Sequence, residues 1–142
     1  IINIIGLRVL IENISSTSLN LVQGAGQVTV KSSEFQQAKI EGGAGKIKIK
    51  DSSLRDLSLE SGVGAVEIEA VIQGYSKIDC GVGSTELKIK GKKEDYKIHA
   101  QKGLGSIKIE NEHLNDDFWV GNGKNTLEIE GGVGSIRVDF EQ

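Results

Sequence analysis

The sequence has no proline, no methionine and a single cysteine. Its 19 glycines without proline exclude a collagen-like order, which needs glycine at every third position and abundant proline. One cysteine, Cys80, excludes an internal disulfide. A chain without methionine is expected not to contain its own start. We therefore expect a mature form or an excised domain, with room for a signal peptide or membrane anchor upstream. Aromatic residues make up 4% of the chain, so Ile, Val and Leu must build the core. The net charge is −3 with both signs interspersed, which leaves no basic footprint for nucleic acid. No apolar run approaches the roughly 20 residues that span a bilayer. The opening "IINIIGLRVLI" is broken by Asn3, Gly6 and Arg8 and is expected to be a buried first strand.

What the chain does have is a repeat. Gly-x-Gly recurs at Gly24, Gly43, Gly62 and Gly81, a period of 19, and again at Gly103 and Gly132. An extra "GNG" begins at Gly121. A fixed period near 20 is the signature of a solenoid. After each Gly-x-Gly comes strict alternation, as in "QVTVK", "KIKIK", "AVEIE" and "SIRVD", which predicts a strand with one buried face. A polar corner follows, with one apolar residue (Phe35, Leu54) tucked inward. A second short strand such as "AKIEG" or "LSLES" then leads to the next Gly-x-Gly.

The expected fold is therefore all-β: a single-chain β-solenoid (β-helix or β-roll) with about 19-residue coils and two strands per coil. Residues 1–142 form one domain. A degenerate first coil spans 5–23, with Val9, Ile11, Leu19 and Leu21 at core positions. Regular coils span 24–102, an enlarged coil 103–131, and a terminal strand 132–142. About seven coils at roughly 4.8 Å each make a rod roughly 33 Å long, stabilised by neighbours because one coil cannot bury its own apolar face. Stacking in sequence order predicts three ladders. They are Val28, Ile47, Val66, Thr85, Ile107; then Val30, Ile49, Ile68, Leu87, Ile109; and, on the other wall, Ile40, Leu59, Ile78, Ile98. The outward series Lys31, Lys50, Glu69, Lys88, Glu110 alternates in sign from Lys50 onward, as paired neighbouring strands favour.

"GGAGKIKIK" invites comparison with the calcium-binding nonapeptide G-G-x-G-x-D-x-U-x. The Asp position holds Ile47 here and Ile136 in "GGVGSIRVD", so the main oxygen ligand is missing. A phosphate loop is excluded too. No Lys-Ser or Lys-Thr follows at the required spacing, and no helix begins here. The glycines are expected to supply positive φ and a corner without side chains.

Other candidates are few. Glu41, Glu60 and Asp79 lie 19 apart and should stack as an acidic column, with His99 as its fourth member. This is a weak cation-site candidate, set against pairing with Lys39 and Lys77 or simple solvation. His99 and His113 lie in no zinc pattern and are expected to be exposed. No Ser-His-Asp spacing or nucleophile elbow is present. The short corners leave little room for the cleft of a carbohydrate-cleaving β-helix. No catalytic residue, metal ligand or cofactor is assigned, and the chain is read as a non-enzyme. Trp119, in "DDFWVGNGKN", is the ligand-contact candidate. It faces outward either on a projecting hairpin or in a cap over the last coil. Here "NTLEIEGGVG" parallels "DLSLESGVG" and is expected to be the coil strand, with "FWVGNGKN" projecting.

The recurring "GxGxIxI" coils and the closing "GGVGSIRVDF" (Gly131 to Phe140) resemble a bacterial family of β-strand-repeat domains of unknown function that carries an adhesin label. The resemblance runs from about Gly24 to Phe140. It implies a β-solenoid at the cell envelope or outside the cell, behind a signal peptide or anchor. It brings no catalytic residues. The expected function is a surface-displayed adhesion or binding module whose partner is a glycan or a surface protein. The alternative is a spacer or scaffold that self-associates through the solenoid ends.

Overall fold

The computed structural model describes residues 2–101, 103–110, 112–114 and 118–141, with the side chains of 2–7, 112–114 and 118–120 outside that set. The strands are β1 (Ile2–Glu12), β2 (Ser15–Lys31), β3 (Glu34–Arg55), β4 (Leu57–Gln73), β5 (Tyr75–Lys90), β6 (Tyr96–Gln101), β7 (Leu104–Ile109), β8 (Glu112–Leu114), β9 (Phe118–Gly121) and β10 (Asn125–Glu141). A short 3-10 turn covers Lys93–Asp95. The long strands are long because each covers both walls of a coil. From β2 to β3 the register is kept through Gly-x-Gly, where Gln23 pairs with Gly42, Ala25 with Ala44 and Gly26 with Gly45 as the chain bends, whereas between β1 and β2 it shifts at this corner.

The alternation read in the sequence sets the core. Val28, Ile47 and Val66 are at most 2% exposed, as are Val30, Ile49 and Ile68. Val9, Ile11, Leu19 and Leu21 of the degenerate first coil are buried, and Phe35 and Leu54 fill the corners as expected. The corners also hold a polar ladder. Asn13, Ser32 and Asp51 all take left-handed φ, between 50° and 57°. The serines beside two of them turn inward. Ser33 Oγ donates to the Lys31 carbonyl, and Ser52 Oγ to that of Lys50. Each hydroxyl also accepts from the coil below: Ile14 N–H bonds Ser33 Oγ and Ser33 N–H bonds Ser52 Oγ, both at 3.2 Å. Buried backbone donors are thereby satisfied where the sheet ladder shifts register.

The order of the layers departs from the order of the sequence. The path runs β1-β2-β3-β4-β5-β10-β6, with β7 also paired to β10. The last strand is thus inserted between β5 and the β6–β7 coil. Thr85 pairs with Ile136, and Ile136 with Ile107. Leu87 and Ile109 are likewise separated by Val138. Ile98 leaves the ladder assigned to it. It pairs with Leu127, which pairs with Ser76, whereas Ile78 meets Ile129 and then Ala100. The outward charge series continues from Lys88 to Asp139, the place expected for Glu110.

Physical reasons for the insertion lie at the seam. β10 pairs with β5 without interruption from Thr126 to Gly131 and from Val133 to Glu141. Four pairs there are of opposite charge, Lys77 with Glu128, Glu86 with Arg137, Lys88 with Asp139 and Lys90 with Glu141, against one like pair, Asp79 with Glu130. Backbone bonds fix both ends of the inserted layer. Thr126 N–H donates to the Gly74 carbonyl at 2.9 Å, and Gly91 N–H to that of Glu141 at 2.7 Å. Tyr96 anchors the displaced coil. Its hydroxyl donates to the Ile72 carbonyl at 2.7 Å and its ring lies 5.3 Å from that of Phe140.

"NTLEIEGGVG" is a coil strand, as expected. "FWVG" does not project: β9 pairs antiparallel with β6, from Lys97 opposite Gly121 to Ala100 opposite Phe118. With β8 antiparallel to β7, it covers that end of the stack.

Candidate functional site at the Gly-x-Gly corner

Gly-x-Gly turns two residues' worth of backbone into the narrow edge of the solenoid. The second glycine of each pair has positive φ, from 115° at Gly26 to 140° at Gly105. The middle residue then has nowhere to point but outward. Register places Ala25, Ala44, Val63, Val82, Val133 and Leu104 on successive layers. The last four are 56%, 49%, 49% and 74% exposed. Among the described residues, they are four of the six large apolar side chains that stand in solvent, and they form one column.

Beside this column runs the acidic one. Glu41, Glu60 and Asp79 are register partners on β3, β4 and β5, as their spacing implied. The fourth member is Glu130, opposite Asp79, and the fifth position is Gln101. His99 does not belong to it. His99 lies opposite Glu128 in the neighbouring column, half-buried, with Nδ1 3.6 Å from the Glu128 carboxylate. Of the basic residues beside the acidic column, Lys39 pairs with Glu41 at 3.4 Å. Among the described residues no cluster of three or more His, Cys, Asp or Glu side chains is arranged to hold a metal.

The Toastrack DUF4097 family model matches residues 8–139. The chain belongs to that family. No curated protein and no solved structure matches it. The Toastrack match begins at Arg8 in the outermost strand and ends at Asp139 in the inserted one, so it takes in the whole stack. The family is a domain of unknown function with a β-solenoid-like fold.

Trp119 sits on β9 of the Toastrack fold, its backbone opposite His99, and its side chain lies outside the described residues, as does that of His113. The sequence reading missed the apolar column, whose signal was there: the middle residue of each Gly-x-Gly repeats with the same period as the glycines.

Ionisable groups next to this corner are tied to one another. The Tyr75 hydroxyl donates to a Glu128 carboxylate oxygen. That bond first, and His99 second, hold the Glu128 carboxyl below its ordinary range, while the same bond raises the Tyr75 phenol. Burial pushes the Cys80 thiol up, against a hydrogen bond from Thr85 Oγ1 at 2.8 Å. A lowered carboxyl stabilises the fold above its unfolded pKa, and that contribution is lost as pH falls through the folded value. Tyr75→Phe is therefore expected to raise the Glu128 pKa toward its ordinary range in a side-chain NMR titration. An unchanged midpoint would mean that the hydroxyl does not hold the carboxylate.

Proposed function

We propose that the chain is a non-catalytic adhesion or binding module at the cell envelope or outside the cell. In this reading it grips a partner protein along its Gly-x-Gly corner. The observation that carries it is the column Val63, Val82, Val133 and Leu104. Scattered exposed apolar residues are ordinary, but a contiguous row of them marks a contact surface. At roughly 4.8 Å per layer the row is about 14 Å long. The flanking carboxylates Glu60, Asp79 and Glu130 favour a partner that sets apolar side chains beside lysine or arginine. Trp119 is kept as a second contact candidate. The non-catalytic reading is supported by the walls, where charged groups are taken up in pairs: Lys46 with Glu67 at 3.4 Å and Lys90 with Asp51 at 2.9 Å. The envelope location rests on the family resemblance of the coils.

The test is binding of labelled chain to arrayed glycans, envelope proteins and matrix proteins, beside V82S/V133S and W119A. Saturable binding to a protein is expected, weakened roughly tenfold or more by V82S/V133S, as loss of central apolar contacts does. Binding that survives V82S/V133S but is lost in W119A would move the site to β9. Folded protein that binds nothing would leave the spacer or self-associating scaffold reading.

A further inference from the structure

The two ends of the stack differ. At one, β6 and β7 are covered by the short antiparallel strands β9 and β8. At the other, among the described residues, β1 pairs with β2 alone. We propose that β1 is a dimerisation edge, joined antiparallel to β1 of a second copy with the two-fold axis through Leu10. This goes beyond the corner-binding reading and does not depend on it.

Backbone direction supplies the first argument. Asn13 N–H donates to the Lys31 carbonyl of β2 at 3.1 Å. Successive residues of a strand aim their N–H and C=O to opposite sides, so Val9 and Ile11 also face β2. The amide groups of Arg8, Leu10 and Glu12 then face away, toward the open edge. The run Arg8–Glu12 lies beyond the register shift between Gly6 and Arg8 and pairs with β2 in one register, and with no proline in it its outer side is a template for another strand.

Side chains supply the second. Val9 and Ile11 point into the core, at 8% and 1% exposure, while Leu10 is 64% exposed and Arg8 and Glu12 flank it on the same face. A two-fold axis through Leu10 pairs residues whose numbers are symmetric about it. Leu10 then meets the partner's Leu10, and Val9 meets the partner's Ile11, so the core continues across the seam. Arg8 meets the partner's Glu12, and Glu12 the partner's Arg8. These pairs also use the outward amides, because all three positions face the edge. Axes through Arg8 or Glu12 would set like charges against each other. A symmetric edge closes on itself, and the covered far end offers only β8 and β9, so the product is a closed pair and not a filament.

The test is sedimentation equilibrium of the chain over a wide concentration range, with thermal unfolding of each variant as a folding control. The chain is expected to dimerise. R8E and E12R each replace both opposite-charge pairs with like ones and should weaken the dimer roughly tenfold or more. An equimolar mixture of the R8E and E12R chains, and the double variant R8E/E12R, should each recover it. A monomer at every concentration, open-ended oligomers, or a dimer indifferent to both reversals would overturn the proposal.

Discussion

Gly83→Ala is expected to be among the most damaging single substitutions in the chain. A methyl group on Gly83 would lie 1.8 Å from the carbonyl oxygen of Gly64 in the layer below. The obstacle is backbone, paired on both sides, and it has no rotamer to escape into. Gly83 also has φ of 133°, where a side chain is strained whatever the space. Together these should cost about 4 kcal/mol or more, or roughly 15 °C in the unfolding midpoint for a chain of this size. Gly24→Ala is the control. A methyl there meets nothing within 4 Å, and the change should stay within about 0.5 kcal/mol. Thermal unfolding of the two variants checks the pair. Similar midpoints would show that the corner is not stacked as tightly as the geometry requires.

The second large effect concerns β10. A chain ending at Lys124 lacks 18 residues, Asn125–Gln142, but it should lose more structure than that. β6 and β7 have β10 as their parallel neighbour, and their remaining pairings are the short antiparallel strands β9 and β8. Removing the inserted layer leaves the Tyr96–Ile109 coil one layer away from β5. It also takes Glu128, Arg137 and Asp139 from opposite Lys77, Glu86 and Lys88. Amide protection should therefore vanish through β6 and β7 and persist in β2, β3 and β4. Removal of residues 1–14, by contrast, takes away an outer layer that pairs with β2 and, among the described residues, reaches the next corner only through the Ile14 bonds to Ser33 and Glu34, and the remaining stack should keep its protection. Full protection of β6 and β7 in the shortened chain would mean that they dock on β5 directly.

Within a coil, much was legible in the sequence, because burial alternates with period 2 and Gly-x-Gly marks one corner of every turn. The register of β2 through β5 follows from the 19-residue spacing, down to Glu41, Glu60 and Asp79 as neighbours, except at the corner after Lys50, where the ladder shifts and Ser52 meets Ala70. The layer order was not legible. Ile107 and Ile136 follow the same Gly-x-Gly-Ser motif and suit the place beside Thr85 equally well by pattern. What separates them is ladder length, since β10 pairs with β5 from Thr126 to Glu141. A separate register error, from aligning "YKIHA" with "SKIDC", put His99 in the acidic column and Ile98 in the Ile78 ladder, where Gln101 and Ala100 stand. The apolar column was missed for a different reason. A valine between two glycines reads as part of a strand or turn, and its exposure follows only once the second glycine's positive φ has sent it outward.

The layer order is tested most directly by disulfide trapping between outward positions in a Cys80→Ser background. Glu86 and Arg137 are register partners on adjacent strands, and Arg137 and Lys108 on the next pair. Adjacent strands lie about 4.8 Å apart, within reach of a disulfide, whereas Cα atoms more than about 7 Å apart are out of reach. E86C/R137C is expected to form an intramolecular bond under mild oxidation, and E86C/K108C is not. Ready crosslinking of E86C/K108C, with none in E86C/R137C, would restore stacking in sequence order and contradict the inserted strand.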